Sequence, residues 1–408
     1  MICLILLGSF LCCNDYDTVA NTYTFPPEWA PQEAVWTDFA TDIVFVPNQE
    51  AKLKIISTLS NYIPTKVVYD NDSLREFALN ALKSKLADIS NIHFIKTSFP
   101  MNWIRDPGPL FLSNGTDLKL LDFKWNCYGN AYDCKGDLRG SVDNELAQEM
   151  NLETDSIGIY LEGGGIEVSS NSILAYKAMA LQRNPDKSLV EVTHTLIKAL
   201  GKSQMIWLDE YPLIDKPYHK ISNYFGFGAN GHIDVTTRFL NDSTILATVI
   251  SAVDRSKSTL SEEDGRILES NVDQLKNAKR PNGLPYQIVT VEAPDYSLYE
   301  YPGTMPDRLY ANLPEDQKNF LPGDSIIFIP SLEYANYLIT NGAILVSKYW
   351  QDGMPESERL KDEKIQTILK EYFPSRDIVP LDVTALNWGG GGIHCRTQQE
   401  PKINTFSN

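Results

Sequence analysis

The sequence predicts an α/β fold built from repeated modules of two strands and a helix. The main observation is a hairpin pattern at four places, in which an apolar run, a turn containing Asn or Asp and a second alternating run follow one another. Stretches with helical periodicity accompany the hairpins. The chain has 408 residues, enough for a large core, and no Pro/Ser-rich linker divides it after about residue 25. We therefore expect a leader over residues 1–24 and a single domain over residues 25–408.

The first hairpin is the clearest of the four, because Asn114-Gly115 supplies a tight turn between two runs over residues 108–120. The pattern returns over three later stretches, residues 166–175, 233–247 and 337–346. Amphipathic helices are predicted over residues 74–86, 189–200 and 262–275. This alternation indicates a weak internal repeat of one module.

Polar side chains stand at the leading ends of these hairpins. If the modules surround an axis, their leading ends meet, and one cysteine, one histidine and three carboxylates share a central pocket. The residues at the leading ends are Asp106, Glu162, His232, Asp234 and Asn336, and Cys395 closes the last module.

Cys395 closely follows a run of glycines at residues 389–392. A thiolate nucleophile needs close access by its electrophile, and glycine leaves room for a planar substrate and for the approaching backbone. Gly391 and Gly392 are therefore candidate substrate-binding positions. The alternative is a glycine-rich turn ahead of a buried structural thiol.

Carboxylates beside a cysteine suit a cationic substrate. Like charge raises the pKa of a thiol and opposes its ionisation, and a bound guanidinium offsets that repulsion. A guanidinium is planar and presents a fork of N–H donors, so Asp106 and Asp234 are predicted to clamp it opposite Cys395. His232 is predicted to donate a proton to departing ammonia and then to activate water, while Glu162 orients the imidazole. The reaction is then a hydrolytic deimination.

Several of these residues allow a second interpretation. His232 and Asp234 are two positions apart, so an extended chain puts them on one face, where together with Asp106 they could instead bind a metal ion. Asp106 could form only a structural ion pair with Arg105. Glu162, which precedes three glycines, could simply cap a turn.

Three more side chains are candidate substrate contacts. Trp103 is a candidate stacking wall, with a core position as the alternative, and Trp36 and Asp38 are candidates for the rim of the pocket. His394 is expected to point away from Cys395, because neighbours in an extended segment face opposite sides. We interpret His394 as structural or as a support for the site residues.

The composition restricts the partners. The formal net charge of −17 argues against nucleic acid and is compatible with cationic small molecules or peptides. Motifs for a zinc site, a phosphate-binding loop or a dinucleotide are missing from the sequence. Homo-oligomer formation is left open.

The N-terminus predicts export. Residues 2–11 are apolar and too short to span a bilayer as a helix, which is typical of a signal peptide. Cys12 or Cys13 is a candidate lipid attachment point, and a periplasmic or membrane-anchored protein would follow. In an oxidising compartment Cys127 and Cys134 could form a disulfide, with two free thiols as the alternative. A cytoplasmic protein with a disordered leader also remains open.

These motifs together resemble the agmatine deiminase and Porphyromonas-type peptidylarginine deiminase family, within the guanidine-modifying, or pentein, superfamily. The similar segments extend from residue 27 to residue 401, and the motifs are Trp103-Ile104-Arg105-Asp106, Glu162-Gly163-Gly164, Gly231-His232-Ile233-Asp234 and Gly391-Gly392-Ile393-His394-Cys395. The resemblance implies a five-bladed α/β propeller with pseudo-fivefold symmetry. It also implies a deiminase that uses no metal or organic cofactor, with its catalytic residues at Cys395, His232, Glu162, Asp106 and Asp234.

The chain departs from the agmatine-acting members of that family at three places. Those members usually have Asn at the positions of Gly392 and Val235, and Asn-Ala-Trp-Gly where this chain has Asn-Cys-Tyr-Gly at residues 126–129. The leading expectation is deimination of a guanidino compound, with agmatine giving N-carbamoylputrescine and ammonia.

Other functions compete with this expectation. An exported deiminase of free or peptide-bound arginine would produce citrulline, and Lys124, Arg139 or Arg396 could then hold a terminal carboxylate. An amidinotransferase would share the covalent intermediate and exclude water. A non-catalytic surface binding protein on the same fold is the alternative of another class.

Overall fold

The structure is a computed structural model that describes residues 22–41, 48–85, 87–132, 138–217, 223–311, 313, 318 and 320–404. The expected signal segment, Cys12 and Cys13 lie outside the described residues, and so does Cys134. None of the helices in the described part combines the length and apolar character needed to cross a bilayer.

Most of the strands are short. In chain order they are β1 (Gln32–Asp38), β2 (Thr65–Tyr69), β3 (Ile92–Lys96), β4 (Leu110–Ser113), β5 (Leu118–Lys124), β6 (Glu153–Tyr160), β7 (Glu167–Val168), β8 (Ser172–Tyr176), β9 (Gln204–Leu208), β10 (Tyr224–Phe225), β11 (Thr237–Asn241), β12 (Thr244–Val249), β13 (Gln287–Glu292), β14 (Tyr301–Thr304), β15 (Ser325–Phe328), β16 (Leu338–Ile339), β17 (Ala343–Ser347), β18 (Asp377–Leu381) and β19 (Thr397–Pro401).

The helices lie between these strands. They are α1 (Gln49–Ser60), α2 (Asp72–Ser84), α3 (Cys127–Asn130), α4 (Val142–Met150), α5 (Lys177–Arg183), α6 (Leu189–Leu200), α7 (Ala252–Arg255), α8 (Thr259–Asn277), α9 (Asp307–Ala311), α10 (Glu356–Tyr372) and α11 (Thr384–Asn387). The helical stretches predicted from periodicity correspond to α2, α6 and α8, so those three predictions are confirmed.

Four three-stranded sheets share one plan, in which an antiparallel hairpin is followed by a third strand parallel to its second. These sheets are β4-β5-β6, β7-β8-β9, β11-β12-β13 and β16-β17-β18. The antiparallel pairs are the four predicted hairpins, and the third strand is parallel because a helix carries the chain back. The mixed α/β class is therefore confirmed.

A fifth sheet repeats this plan with one further parallel strand, and it joins the two ends of the chain. Its order is β19-β1-β2-β3, with β19 antiparallel to β1 and β1 parallel to β2. Thr37 pairs with Thr397 in this sheet. The pairing fixes the segment immediately after Cys395 against the N-terminal segment.

A sixth small sheet, β10-β15-β14, lies outside the repeated plan. It packs its own apolar cluster, which contains Phe225, Met305, Leu309, Phe320 and Ile326. The sequence analysis missed this sheet, because its two- and four-residue strands are too short to show a period.

Helix α6 shows how the local sequence builds the modules. Ser188 caps its N-terminus in a capping box with Glu191, and Gly201 closes its C-terminus in a left-handed conformation. Val192, Leu196 and Leu200 recur every four residues and are buried against the strands. Each such buried side chain contributes about 1.5–3 kcal/mol.

Candidate active site

Cys395 lies in a short helical turn, His394–Arg396, directly before β19. Its side chain is buried, and Asn336 contacts it twice: the Asn336 amide donates to Sγ at 3.1 Å, and Asn336 Oδ1 accepts from the Cys395 backbone N–H at 3.2 Å. The Cys395 thiol faces Asp234 Oδ2 at 3.7 Å. The nucleophile candidate therefore touches both the third and the fourth hairpin modules.

The environment keeps this cysteine protonated when no cation is bound. Burial raises the pKa of the Cys395 thiol well above its usual range, and the negative charges of Asp234, Glu333 and Asp106 raise it further. A bound cation would oppose both effects. Ionisation of the thiol is thus coupled to the arrival of a cationic ligand.

His232 lies between two carboxylates. Its Nδ1 is 3.5 Å from Asp106 Oδ1 and its Nε2 is 3.7 Å from Glu162 Oε2. Burial by itself lowers the pKa of His232, but Asp106, Glu162 and Asp234 outweigh it and raise the pKa to about 9. The imidazole is therefore protonated at neutral pH and can act as a general acid.

Asp106 is held by two donors. The Tyr128 hydroxyl donates to its Oδ2 at 2.9 Å and the Gly164 backbone N–H donates to its Oδ1 at 3.2 Å. Burial raises the pKa of Asp106 to about 6, with Asp234 and Glu162 adding to the rise and His232 opposing it. The alternative interpretation, in which Asp106 only forms a structural ion pair with Arg105, is wrong, because Arg105 pairs with Glu28 instead.

Glu162 is bound by Arg183, whose Nε donates to both carboxylate oxygens at 3.1 and 3.0 Å. Burial raises the pKa of Glu162, but Arg183 and His232 outweigh that effect, so the pKa is lowered. Glu162 makes no side-chain hydrogen bond to the turn that follows it, which argues against a simple cap. Arg183 lies in α5, and no sequence signal linked it to the site.

Asp234 has one engaged and one open oxygen. Oδ2 accepts from the Asn336 amide at 3.1 Å and lies 2.6 Å from His394 Nδ1, whereas Oδ1 is buried without a hydrogen-bond partner in the described part of the chain. Burial raises the pKa of Asp234, but His394, His232 and Arg238 outweigh it and lower the pKa. A charged carboxylate with an open oxygen is suited to an N–H donor.

Two expectations about backbone geometry were wrong. The first expectation is that His232 and Asp234 share one face of an extended segment. Instead, Ile233–Val235 form a short helical turn, and β11 begins only at Thr237. His394 was expected to point away from Cys395, yet both side chains contact Asp234. The physical reason is the same in both cases, because the two-residue alternation holds only for extended backbone.

The glycines beside Cys395 are needed for space. A Cβ on Gly391 would lie 2.8 Å from the Trp103 ring and 3.0 Å from Cys395 Sγ, and one on Gly392 would lie 2.7 Å from Asn336 Oδ1. Trp103 itself has a left-handed backbone with φ of 62°. Such strain in a bulky residue costs on the order of 1–3 kcal/mol and is typical of functional sites.

Trp36 and Asp38 do not lie at the rim of the site, where the sequence predicts them. Trp36 is fully buried in a core cluster, and its indole N–H donates to Glu400 at 2.7 Å. Asp38 is also fully buried and accepts from Arg396 at 2.7 Å. The Arg396 guanidinium in turn stacks 3.8 Å from the Trp103 ring centre. Asp38 therefore supports the Trp103 wall from behind, and Trp36 belongs to the core.

Two of the three candidates for holding a terminal carboxylate are engaged elsewhere. Arg396 is buried against Asp38, and Arg139 stacks on Trp125 at 5.1 Å and reaches Cys127 Sγ at 3.6 Å. Lys124 is exposed, with its ammonium 5.6 Å from the Tyr160 ring centre, and stays a candidate. Cys127 is disulfide-bonded.

The structure thus brings together Cys395, His232, Glu162, Asp106 and Asp234, with Trp103, Gly391 and Gly392 beside them. Within the described ranges no group of three or more His, Cys, Asp or Glu side chains is arranged to hold a metal ion. The sequence places Asn336 at the leading end of a hairpin but does not predict a function for it. Tyr128, Arg183 and Glu28 were missed, because a single tyrosine, arginine or glutamate carries no spacing signal.

The chain matches a known protein family over nearly its whole length. The family model of the Porphyromonas-type peptidyl-arginine deiminases matches residues 24–401. The chain belongs to this family. As a Porphyromonas-type peptidyl-arginine deiminase family member it is a hydrolase acting on the C–N bonds of linear amidines, and the expected enzyme class and family are confirmed.

Individual relatives are distant but cover nearly the whole chain. The agmatine deiminase of Pseudomonas syringae pv. syringae (strain B728a) is 24% identical over 402 residues, which span 94% of this chain and 96% of that protein. The solved agmatine deiminase of Enterococcus faecalis is similar with a TM-score of 0.71, 22% identity and coverage of 93% and 96%. That of C. jejuni has a TM-score of 0.65, 20% identity and coverage of 94% and 98%. These structures show that the family member described here has the same fold.

Proposed function

We propose that this protein hydrolytically deiminates a guanidino compound through a covalent intermediate on Cys395. The observation that carries the proposal is the buried contact between Cys395 Sγ and Asp234 in one site with protonated His232 and with Asp106. Nucleophile, acid and two carboxylates for a planar cation are buried close together in one site.

The first half-reaction begins with the guanidinium between Asp106 and Asp234, its central carbon facing Cys395. The positive charge of the substrate favours loss of the thiol proton to solvent, and the resulting thiolate adds to the central carbon. His232 gives its proton to one nitrogen of the tetrahedral adduct. Ammonia leaves as the C–N bond breaks, and a thiouronium remains on Cys395.

The second half-reaction consumes water. Neutral His232 takes a proton from the water that attacks the thiouronium carbon. The C–S bond then breaks, the hydroxyl proton passes to the departing thiolate of Cys395, and a urea leaves. Glu162, itself held by Arg183, orients the imidazole through both steps.

Agmatine is the leading substrate, with N-carbamoylputrescine and ammonia as products. The relative from Pseudomonas syringae and the solved proteins from Enterococcus faecalis and C. jejuni carry the name agmatine deiminase. An amine at the far end of agmatine also suits an acidic protein with a net charge of −17.

The disulfide at Cys127 favours a second candidate, deimination of arginine in an exported peptide or protein. Disulfides persist in oxidising compartments, so this bond supports the predicted export to the periplasm or membrane surface. The bond also adjoins Tyr128, which contacts Asp106 in the site. The family name describes peptidyl-arginine deiminases, which agrees with a peptide substrate.

We propose that the five like sheets are the blades of a five-bladed α/β propeller with pseudo-fivefold symmetry. The support is the antiparallel pair with an adjoining parallel strand that all five share, and the closure of one sheet by β19 and β1 from opposite chain ends.

Ammonia release tests the function. The purified protein is incubated in parallel with agmatine, free arginine and an arginine-containing peptide, beside a Cys395→Ala variant. Turnover of agmatine alone supports the small-molecule reaction, and turnover of the peptide supports the second candidate. A parallel assay with a metal chelator distinguishes both reactions from that of a metallohydrolase, which would lose its activity. Folded protein inactive on all three substrates would contradict the proposed function.

A further inference from the structure

The His394 ring lies between two buried carboxylates. Nδ1 is 2.6 Å from Asp234 Oδ2, and Nε2 is 2.5 Å from Glu28 Oε1. His394 is 1% exposed, Asp234 is fully buried and Glu28 is 9% exposed. Neither His394 nor Glu28 has a role in the proposed reaction, and Glu28 comes from the N-terminal segment ahead of β1.

These two contacts require two protons. A short contact between a ring nitrogen and a carboxylate oxygen is favourable only with one proton between them. Neutral imidazole carries one N–H, so it can satisfy one carboxylate and must present a lone pair to the other. The three groups therefore need one more proton than a neutral imidazole with two carboxylates provides.

The lowered pKa values of the two carboxylates leave that proton to the ring. Arg238 donates to Glu28, and Arg105 lies 3.2 Å from Glu28 Oε1. Burial raises the pKa of Glu28, but Arg238, His394 and Arg105 outweigh it, so the pKa is lowered well below its usual range. The pKa of Asp234 is lowered too. With both carboxylates ionised, His394 is the group left to hold the second proton.

We propose that His394 is a positioning residue that bridges Glu28 and Asp234 as an imidazolium and thereby fixes the guanidinium clamp. The bridge and the Asn336 amide both engage Asp234 Oδ2, so Oδ1, which is buried without a hydrogen-bond partner among the described residues, is left as the acceptor for the substrate. The imidazolium also cancels part of the negative charge that opposes ionisation of Cys395. This inference rests on the proposed function for its substrate.

The bridge is sensitive to pH. Burial lowers the pKa of His394, Arg105 and Arg238 lower it further, and Glu28 and Asp234 oppose them without reversing the shift. The bridging proton is therefore present at mildly acidic pH and is lost as the pH rises. Its loss leaves one ring nitrogen and one carboxylate with facing lone pairs, which loosens the clamp.

Nitrogen NMR of histidine-labelled protein tests the bridge without reference to catalysis. The chain has five histidines, and loss of one set of signals in the His394→Asn variant assigns His394. At about pH 5.5, below the ordinary histidine pKa, we expect both ring nitrogens of His394 to carry protons, with one lost at higher pH. A single protonated ring nitrogen at every pH at which the protein is folded would overturn the proposal.

Two matched variants test the positioning role. In His394→Asn the side-chain amide occupies the position of Nδ1 and can still donate to Asp234. In His394→Gln the longer side chain puts the amide at the position of Nε2, where it can donate to Glu28 but not to Asp234. In a Cys395→Ala background, we expect methylguanidinium binding to weaken about tenfold or more in the Gln variant, as for a lost charge-assisted hydrogen bond, and clearly less in the Asn variant.

Calorimetric titration measures the binding, and thermal unfolding confirms that both variants are folded. Equal weakening in two equally stable variants would overturn the positioning role. If the NMR shows the bridge but the parent Cys395→Ala protein binds no methylguanidinium at all, the proposed function fails instead. The two failures are thus distinguishable.

Discussion

Cys395 Sγ lies 3.7 Å from Asp234 Oδ2, so the nucleophile and one arm of the guanidinium clamp are in direct contact. Because the carboxylate raises the pKa of the thiol, removing its charge should release the thiolate. We predict that Asp234→Asn abolishes turnover yet speeds alkylation of Cys395 by iodoacetamide at pH 7. The rate is followed by mass spectrometry, with the exposed Asp117→Asn as control. An unchanged or slower alkylation rate in Asp234→Asn would show that the carboxylate does not govern the thiol.

The pKa of His232, raised to about 9, sets the alkaline limit of activity. The imidazolium that protonates departing ammonia is fully present below that pKa and is lost as the pH rises through it. We predict that kcat falls above about pH 9 and that His232→Gln lowers kcat by about 10²–10⁴-fold without this alkaline limb. A pH profile of kcat from steady-state kinetics checks both. An alkaline limb of the same midpoint in the variant would assign the limb to another group.

The pKa of Asp106, raised to about 6, sets an acid limit on substrate binding. The carboxylate is present above that pKa and is neutralised as the pH falls through it, so KM should rise below about pH 6. The Tyr128 hydrogen bond lowers the pKa, and we predict that Tyr128→Phe moves this limb to higher pH. Tyr132→Phe is the matched control, since the Tyr132 hydroxyl donates to the Gly228 carbonyl instead. Identical KM profiles in the two variants would remove Tyr128 from the clamp.

Gly391 should tolerate no side chain. A Cβ there would lie 3.0 Å from Cys395 Sγ and 2.8 Å from Trp103, whereas one on Gly158 in β6 meets nothing within 4 Å. We predict that Gly391→Ala loses most ammonia release while Gly158→Ala keeps it, with stability changed by no more than about 0.5 kcal/mol in the control. Full activity of Gly391→Ala would mean that the substrate does not approach along the glycine run.

Arg183 stabilises the fold as well as the site. It is fully buried against Glu162, which is 1% exposed, so Arg183→Met removes the hydrogen-bonded partner of a buried carboxylate and should lower the free energy of unfolding by about 3–5 kcal/mol. Arg266→Met removes an exposed ion pair with Glu263 and should cost about 1 kcal/mol or less. Urea denaturation compares the two variants. Similar losses in both would contradict the account of Glu162 as a charged group.

Much of the fold could be predicted from local patterns. The turn at Asn114-Gly115 and the helix over residues 189–200 each depend on neighbouring residues, which a sequence displays directly. The sheet that joins β19 to β1 could not be found this way, because Thr397 and Thr37 come from opposite ends of the chain. Its pairing is a tertiary contact with no local period.

The site residues that occur in short motifs could be predicted from the sequence. The residues that hold them in place from distant parts of the chain could not. His232, Asp234 and Cys395 occur within short motifs, but Arg183 and Glu28 act through buried contacts that only folding creates. Extended backbone was assumed for both His-containing motifs. Short helical turns replace it, which is why the orientation expected for His394 was wrong.

The covalent intermediate is the central claim, and trapping it is the most direct test. The protein is mixed with the best substrate from the ammonia assay, quenched in acid within the first turnovers and examined by mass spectrometry of its peptides. We predict an adduct on Cys395 with the mass of the substrate less ammonia, and neither adduct nor turnover in Cys395→Ala. Ammonia release that persists in Cys395→Ala would contradict the account, because the cysteine would then not be the nucleophile.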